Sequence, residues 1–163
     1  RLKSEENIIV GNVCLYGATS GNVFISGLAG DRFCVRNSGA NAVVEGIGDN
    51  GCEYMTGGSV IILGPVGRNF GAGMSGGLAY IYDDTINNLE CINREMVLIE
   101  TMGTEDHHFV QNQLKEHVKL TSSAKAMKLL NNWQREKERF YKVFPKEFKA
   151  ILELKRSRLT QTK

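Results

Sequence analysis

Asn37-Ser38-Gly39, Thr56-Gly57-Gly58 and Ser75-Gly76-Gly77 succeed one another at intervals of nineteen residues. Ala18-Thr19-Ser20, followed at once by Gly21, stands one interval earlier. Apolar residues keep the same step. Phe24, Val43, Ile62 and Ile81 make one column, and Ile25, Val44, Leu63 and Tyr82 the next. Gly27, Gly46, Gly48 and Gly67 complete the set of repeat glycines with Gly39, Gly58 and Gly77. A fixed period near twenty residues marks stacked units, each too small to bury its own apolar face. The first half of the chain therefore reads as a scaffold shape rather than a pocket.

Seventeen of the 18 glycines lie between Gly11 and Gly77, so a boundary falls near Asp83-Asp84. This divides the chain into a glycine-repeat unit, residues 1–86, and a C-terminal extension, residues 87–163. Within the first unit, short β-rich runs alternate with glycine corners: 13–16, 22–25, 32–35, 42–45, 52–55, 60–63 and 78–82. Two runs per period predict a coil that goes out and back as two short strands. Stacking such coils pairs each strand in parallel with its copy above and below. The fold class predicted is mainly β, a parallel β-helix of about four coils, with a C-terminal α-helical tail. An exposed end coil would present an unpaired sheet edge.

In the extension, Arg94-Glu95-Met96-Val97-Leu98-Ile99 is an apolar run that periodicity leaves open between strand and helix. Residues 105–120 carry Phe109, Val110, Leu114 and Val118 at helical spacing. Thr121 or Ser122 then offers an N-cap for a second helix reaching about residue 141, with Ala126, Leu130, Trp133 and Phe140 inward. Pro145 suits the first turn of a third, with Phe148, Ile151, Leu152 and Leu159 inward. About three helices are thus expected to pack on the coils or on each other.

Composition narrows the function. At 42% hydrophobic residues the chain folds, yet no run approaches a membrane span and no secretory signal is visible. An intracellular setting, cytoplasmic or plastid/organellar, is expected. The chain opens at Arg1 without an initiator Met, which reads as a piece of something longer. Residues 1–114 hold 6 Lys/Arg and 13 Asp/Glu, whereas residues 115–163 hold 14 and 5. That asymmetry fits a basic tail lying on an acidic body, or a docking surface for an acidic partner. The basic residues sit on every helical face with acids interspersed, which argues against nucleic acid.

Cys14, Cys34, Cys52 and Cys91 read as reduced thiols. In the nineteen-residue register Cys14 and Cys52 share a column with Phe33 between them. Two coils apart is about 10 Å, too far for a bridge, and strand alternation turns Cys34 away from Phe33. No spacing suits zinc or iron–sulfur. Gly46-Ile47-Gly48-Asp49-Asn50-Gly51 and Gly71-Ala72-Gly73-Met74-Ser75-Gly76 match a dinucleotide fingerprint, but neither runs into a predicted helix, so no cofactor is expected there. Glu105-Asp106-His107-His108 gathers four potential metal ligands that adjacent helical positions cannot bring together. His117 reads as a packed or capping side chain. Glu45, Asp49 and Glu53 form a candidate carboxylate cluster on the coil exterior, balanced by Arg32, Arg36 and Arg68. No catalytic, cofactor-binding or metal residue is assigned; the candidate sites are the repeat glycines.

The stretch from Arg32-Phe33-Cys34-Val35-Arg36-Asn37-Ser38-Gly39-Ala40 through Ala42-Val43-Val44-Glu45-Gly46-Ile47-Gly48-Asp49 to Gly51-Cys52-Glu53-Tyr54-Met55-Thr56-Gly57-Gly58 resembles the C-terminal domain of the glutamate synthase large subunit. Asn69-Phe70-Gly71-Ala72-Gly73-Met74-Ser75-Gly76-Gly77-Leu78-Ala79-Tyr80 extends the match. So do Asn93-Arg94-Glu95-Met96-Val97, His117, Thr121, Ser123, Ala126, Trp133, Phe140 and Pro145. Ser122 stands where that resemblance leads one to expect Gly.

The resemblance implies a right-handed parallel β-helix, a non-catalytic structural domain at the end of an enzyme that turns L-glutamine and 2-oxoglutarate into two L-glutamate. It further implies FMN, an iron–sulfur cluster and NAD(P)H or ferredoxin elsewhere in the parent, with glutaminase and FMN-binding synthase domains as partners on the same polypeptide. The tail past Pro145 resembles the start of the join to an NAD(P)H-oxidising subunit or fused domain. Two alternatives remain in view. A hexapeptide-coil acyltransferase needs an eighteen-residue period and a histidine that residues 1–84 lack. The β-helix subunit of a formylmethanofuran dehydrogenase lacks the helical tail.

Overall fold

The computed structural model describes residues 3–84 and 87–151. One seven-stranded sheet runs through it in the order β1-β2-β3-β4-β5-β7-β6. Ile8–Val10 (β1), Asn22–Ala29 (β2), Ser38–Ile47 (β3), Thr56–Ile62 (β4) and Gly76–Tyr82 (β5) pair in parallel, each with its successor. They are the repeated legs of a parallel β-helix of about four coils. Both faces of this sheet are covered, which is why its strands read as continuous apolar runs such as Val60-Ile61-Ile62-Leu63.

The pairing departs from a strict nineteen. β2 carries an extra residue, so Ser26 and Gly27 together oppose Glu45; Gly39 and Ala40 of β3 likewise oppose Gly58. The columns are therefore Phe24, Val43, Ile61, Tyr80 and Ile25, Val44, Ile62, Ile81, not the sets that a constant step joins. The correction matters because a slip of one residue turns a side chain to the opposite face. Ile25, Val44, Ile62 and Ile81 fill the coil interior with Phe33, Phe70, Met55 and Met74. Val43, Ile61 and Tyr80 point outward, under the helices.

The predicted second strand of each coil is not a strand. Residues 12–17, 33–36, 49–54 and 71–73 are turns in which every second residue has positive φ. The positions run Val13, Leu15, Gly17; Arg32, Cys34, Arg36; Asn50, Cys52, Tyr54; and Asn69, Gly71, Gly73. Such φ values cost an L residue about 1–2 kcal/mol apiece. Hydrogen bonds between coils offset that strain. Arg32 N–H reaches up to Asp49 O (2.8 Å) and Cys34 N–H down to Cys14 O (2.9 Å), and Cys52 N–H meets Phe33 O (2.8 Å). Because this backbone does not alternate like a strand, Phe33 and Cys34 are both wholly buried in the coil interior. The expected outward turn of Cys34 is thereby corrected.

The C-terminal half closes the stack and covers one face. Val97–Thr101 (β6) settles the ambiguous run as a strand. Phe140–Pro145 (β7) inserts antiparallel between β5 and β6, so the sheet edge at β5 is paired. The second helix consequently stops short of its expected end. It consists of Ala124–Asn131 (α2) and a turn of helix at Trp133–Glu136 (α3), followed by a 3-10 turn at Lys137–Arg139. Phe140 fits an inward helical stripe and an inward strand position equally well; pairing with Tyr82 of β5 decides for the strand. Pro145 ends β7, and residues 146–151 are helical. Phe148 and Ile151, expected inward, are 39% and 50% exposed. Leu152 and Leu159 lie outside the described residues.

Thr104–Thr121 (α1) matches its expected span and ends at Ser122, whose φ of 57° is left-handed. Ser123, rather than Thr121 or Ser122, caps α2 by accepting from Ala126 N–H at 3.0 Å. Glycine takes a left-handed helix end without the Cβ penalty. Ser122→Gly is therefore expected to raise unfolding free energy by about 0.5–1 kcal/mol, read from urea midpoints.

Candidate functional site

The repeat glycines occupy three kinds of position. Gly39, Gly57 and Gly76 start successive strands, and a Cβ there would overlap the carbonyl oxygen of Thr19, Ser38 or Thr56 in the coil below. Gly58 and Gly77 sit at the bulges with φ of +78°, and a Cβ on Gly58 would overlap Ala40 O. So Gly58 and Gly77 share a role, whereas Gly39 belongs with Gly57 and Gly76. Gly48 and Gly67 stand at the corner before the return leg, where a Cβ would strike Asp31 and Gly48 respectively. Gly46 packs against Leu28 and Pro65, and Gly27 forms the β2 bulge at φ +144°. Each glycine lets one coil touch the next.

Polar ladders run along the same axis. Asp31 N–H donates to Asn12 Oδ1, Asp49 N–H to Asp31 Oδ1 and Arg68 N–H to Asp49 Oδ1, each at 2.8 Å. Asn93 donates to Asn69 (2.8 Å) and Asn69 to Asn50 (3.1 Å). Of the predicted carboxylate cluster, Asp49 pairs with Arg68 at 2.8 Å and Glu53 accepts from Asn69 at 3.2 Å. Arg36 lies over the Tyr16 ring at 6.0 Å. Glu45 does not join them.

Glu45 is wholly buried, between the sheet and the α1–α2 junction. Ser26 Oγ donates to Oε1 at 3.1 Å, Ser4 Oγ to Oε2 at 3.2 Å, and Ser123 Oγ to Oε1. His117 Nε2 lies 3.7 Å from Oε1, and the imidazole, also wholly buried, rests on Phe24 with ring centres 6.0 Å apart. Burial pushes the Glu45 carboxyl up, but His117 and the Ser123 and Ser26 hydroxyls together outweigh it and hold the group below its ordinary value. One carboxylate thus ties the N-terminal segment, β2, α1 and α2 to β3. Two signals for this existed in the sequence: a charge inside the run Ala42-Val43-Val44-Glu45-Gly46-Ile47, and Ser26 one period before it.

A second anchor involves Asp106, from the predicted histidine–acid cluster. It accepts from Tyr80 (2.8 Å), Lys142 (2.7 Å) and Gly103 N–H (3.0 Å), pinning the start of α1 to β5 and β7. His107 sets its edge on Trp133, at 6.4 Å between centroids, while His108 is exposed. A third anchor joins Tyr82, Glu136 and the guanidinium groups of Arg135 and Arg139.

The residues do not fit the redox groups of a larger enzyme. Cys34 and Cys52 are wholly buried among apolar side chains, and burial pushes both thiols far up, away from the thiolate that a metal needs. Among the described residues no three His, Cys, Asp or Glu gather to hold a metal. Both glycine fingerprints lead into turns or strand β5 rather than a helix, so neither offers a pyrophosphate the helix N-terminus it requires. All four cysteines are free. Cys34 and Cys52 are accordingly expected to resist alkylation in the native chain and to label at once in denaturant, read by mass spectrometry.

Coils held at contact distance by glycine, with a helical cover pinned by buried carboxylates, define a structural β-helix domain. The chain belongs to the GXGXG motif family, whose model matches residues 1–146. It is 53% identical over 162 residues to an NADH glutamate synthase of Schizosaccharomyces pombe, which covers 99% of this chain and 8% of the relative. The NADPH glutamate synthase large chain of Bacillus subtilis is 52% identical over 152 residues, 91% of this chain and 10% of the relative. The ferredoxin-dependent glutamate synthase 1 of Arabidopsis thaliana, chloroplastic/mitochondrial, is 50% identical over 142 residues, 86% of this chain and 9% of the relative. The chain thus spans about a tenth of the length of these relatives.

Proposed function

We propose that this chain is the non-catalytic β-helix domain of a glutamate synthase, an intracellular enzyme of cytoplasm or plastid. Its parent converts L-glutamine and 2-oxoglutarate to two L-glutamate in glutamate biosynthesis and ammonia assimilation. The domain's part is mechanical: it holds the glutaminase and FMN-binding synthase domains in register so that ammonia released at one reaches the other. FMN and the iron–sulfur cluster belong to those domains. The observation that carries this reading is the glycine-spaced coil stack, built by a sequence 44–53% identical to seven glutamate synthases. Reducing equivalents come from NAD(P)H, through a small subunit or fused domain; the NADH and NADPH relatives match 99% and 91% of this chain, against 86% for a ferredoxin-dependent one.

The purified chain is expected to show no flavin absorbance and to release no ammonia from glutamine. Glutamine hydrolysis by the pure chain would overturn the reading. In the full-length enzyme, loosening the coils at Gly58 is expected to spare glutamine hydrolysis while glutamate formation falls.

A further inference from the structure

A cavity of about 470 Å³ opens between α2, the α3 turn and the end of β5. Four cations line it: Lys125 and Lys128 from α2, Arg135 from α3, and Arg139 from the 3-10 turn that follows. Its acids are Glu5, Asp84 and Glu136. Glu136 is almost wholly buried and already engaged, with Arg135 at 2.5 Å, Arg139 at 3.5 Å and the Tyr82 hydroxyl at 2.5 Å. Among the described residues, neither Lys125 nor Lys128 has a carboxylate within ion-pair distance. Elsewhere in the helical half, Lys119, Lys137, Lys142 and Lys149 each hold one. Two unpaired cations therefore converge on one concave surface, three residues apart on a helix, a spacing that sets Cβ atoms about 5–6 Å from each other. Leu129 and Ala124 supply its apolar floor.

We propose that this groove docks an acidic segment of another domain in the same polypeptide, carrying two carboxylates that pair with Lys125 and Lys128. Charge complementarity selects the occupant. Residues 1–114 are acidic, with 13 Asp/Glu against 6 Lys/Arg, and repel such a segment, whereas the groove attracts it. The inference rests on the reading that this chain works inside a larger enzyme.

The test uses the full-length enzyme treated with a carbodiimide that joins amines to carboxylates in contact. Lys142–Asp106 and Lys149–Glu100, at 2.7 and 2.5 Å, serve as internal controls. The expected result is an amide from Lys125 or Lys128 to an Asp or Glu outside this chain, lost in 0.5 M salt (roughly a 4 Å screening length) and absent from K125Q/K128Q. Control cross-links without such an amide would overturn the proposal. So would an amide only to a second enzyme molecule, identified by isotope mixing. Millimolar phosphate protecting both lysines from acetylation, with no cross-link, would replace the peptide by a small anion. Glutamate formation by the same preparation reports separately on the domain reading, which survives if activity is present and the cross-link is not.

Discussion

Gly58→Val is expected to lower the unfolding free energy by about 2–5 kcal/mol. Gly58 has φ of +78°, and its Cβ position overlaps Ala40 O of the coil below. The left-handed backbone contributes about 1–2 kcal/mol and forcing the coils apart about 1–3 kcal/mol. Neither can relax cheaply, because Ala40 N–H and the Ala40 carbonyl are both held by the wholly buried Asn37 side chain, at 2.9 and 2.8 Å. That loss is a large share of the 5–15 kcal/mol that a domain has. Gly11 is the matched control: nothing lies within 4 Å of its Cβ position and its φ is not left-handed. Gly11→Ala should change stability by less than about 0.5 kcal/mol. Urea unfolding of both variants decides the matter. A Gly58→Val loss below 1 kcal/mol would mean the coils do not stack at carbonyl contact.

Glu45→Ala is expected to cost about 3–5 kcal/mol, the range for removing one partner of a buried charged network. Ser26, Ser4 and Ser123 lose their common acceptor, and the wholly buried His117 loses the carboxylate beside it. Glu45→Gln keeps the volume and one acceptor oxygen, so it should cost less. The pH dependence separates charge from shape. The folded-state pKa of Glu45 is held below its ordinary value. Its contribution is therefore fully present above about pH 4.3, the unfolded value, and is lost as pH falls through the folded pKa. The stability gap between wild type and Glu45→Gln should be constant near neutrality and close on acidification below about pH 4.3. A gap that widened there would show that the network is held by the protonated acid.

Legibility followed range. The period, the coil stack and the glycine corners could be read because each glycine answers a local demand repeated every eighteen or nineteen residues. The column assignment failed by one residue at the third coil, since a bulge in β2 or β3 leaves no mark beyond a Gly already present in the repeat. Val13, Leu15, Cys34, Cys52 and Tyr54 read as strand residues because apolar and β-branched side chains favour strands. Their left-handed φ is imposed by hydrogen bonds to neighbouring coils, a constraint no local propensity contains. Glu45 looked like a surface charge because charge is usually outside; its partners arrive from as far as 78 positions along the chain.

Alone, the order of residues established a stack of short parallel rungs and which residues must lack a side chain for the rungs to meet. Whether residues 140–145 became helix or strand, which face each column turned inward, and where Glu45 would sit were decided only by tertiary structure. Those outcomes depend on an edge strand needing a partner and on α1 and α2 needing an anchor. Such needs exist only once distant segments share a surface.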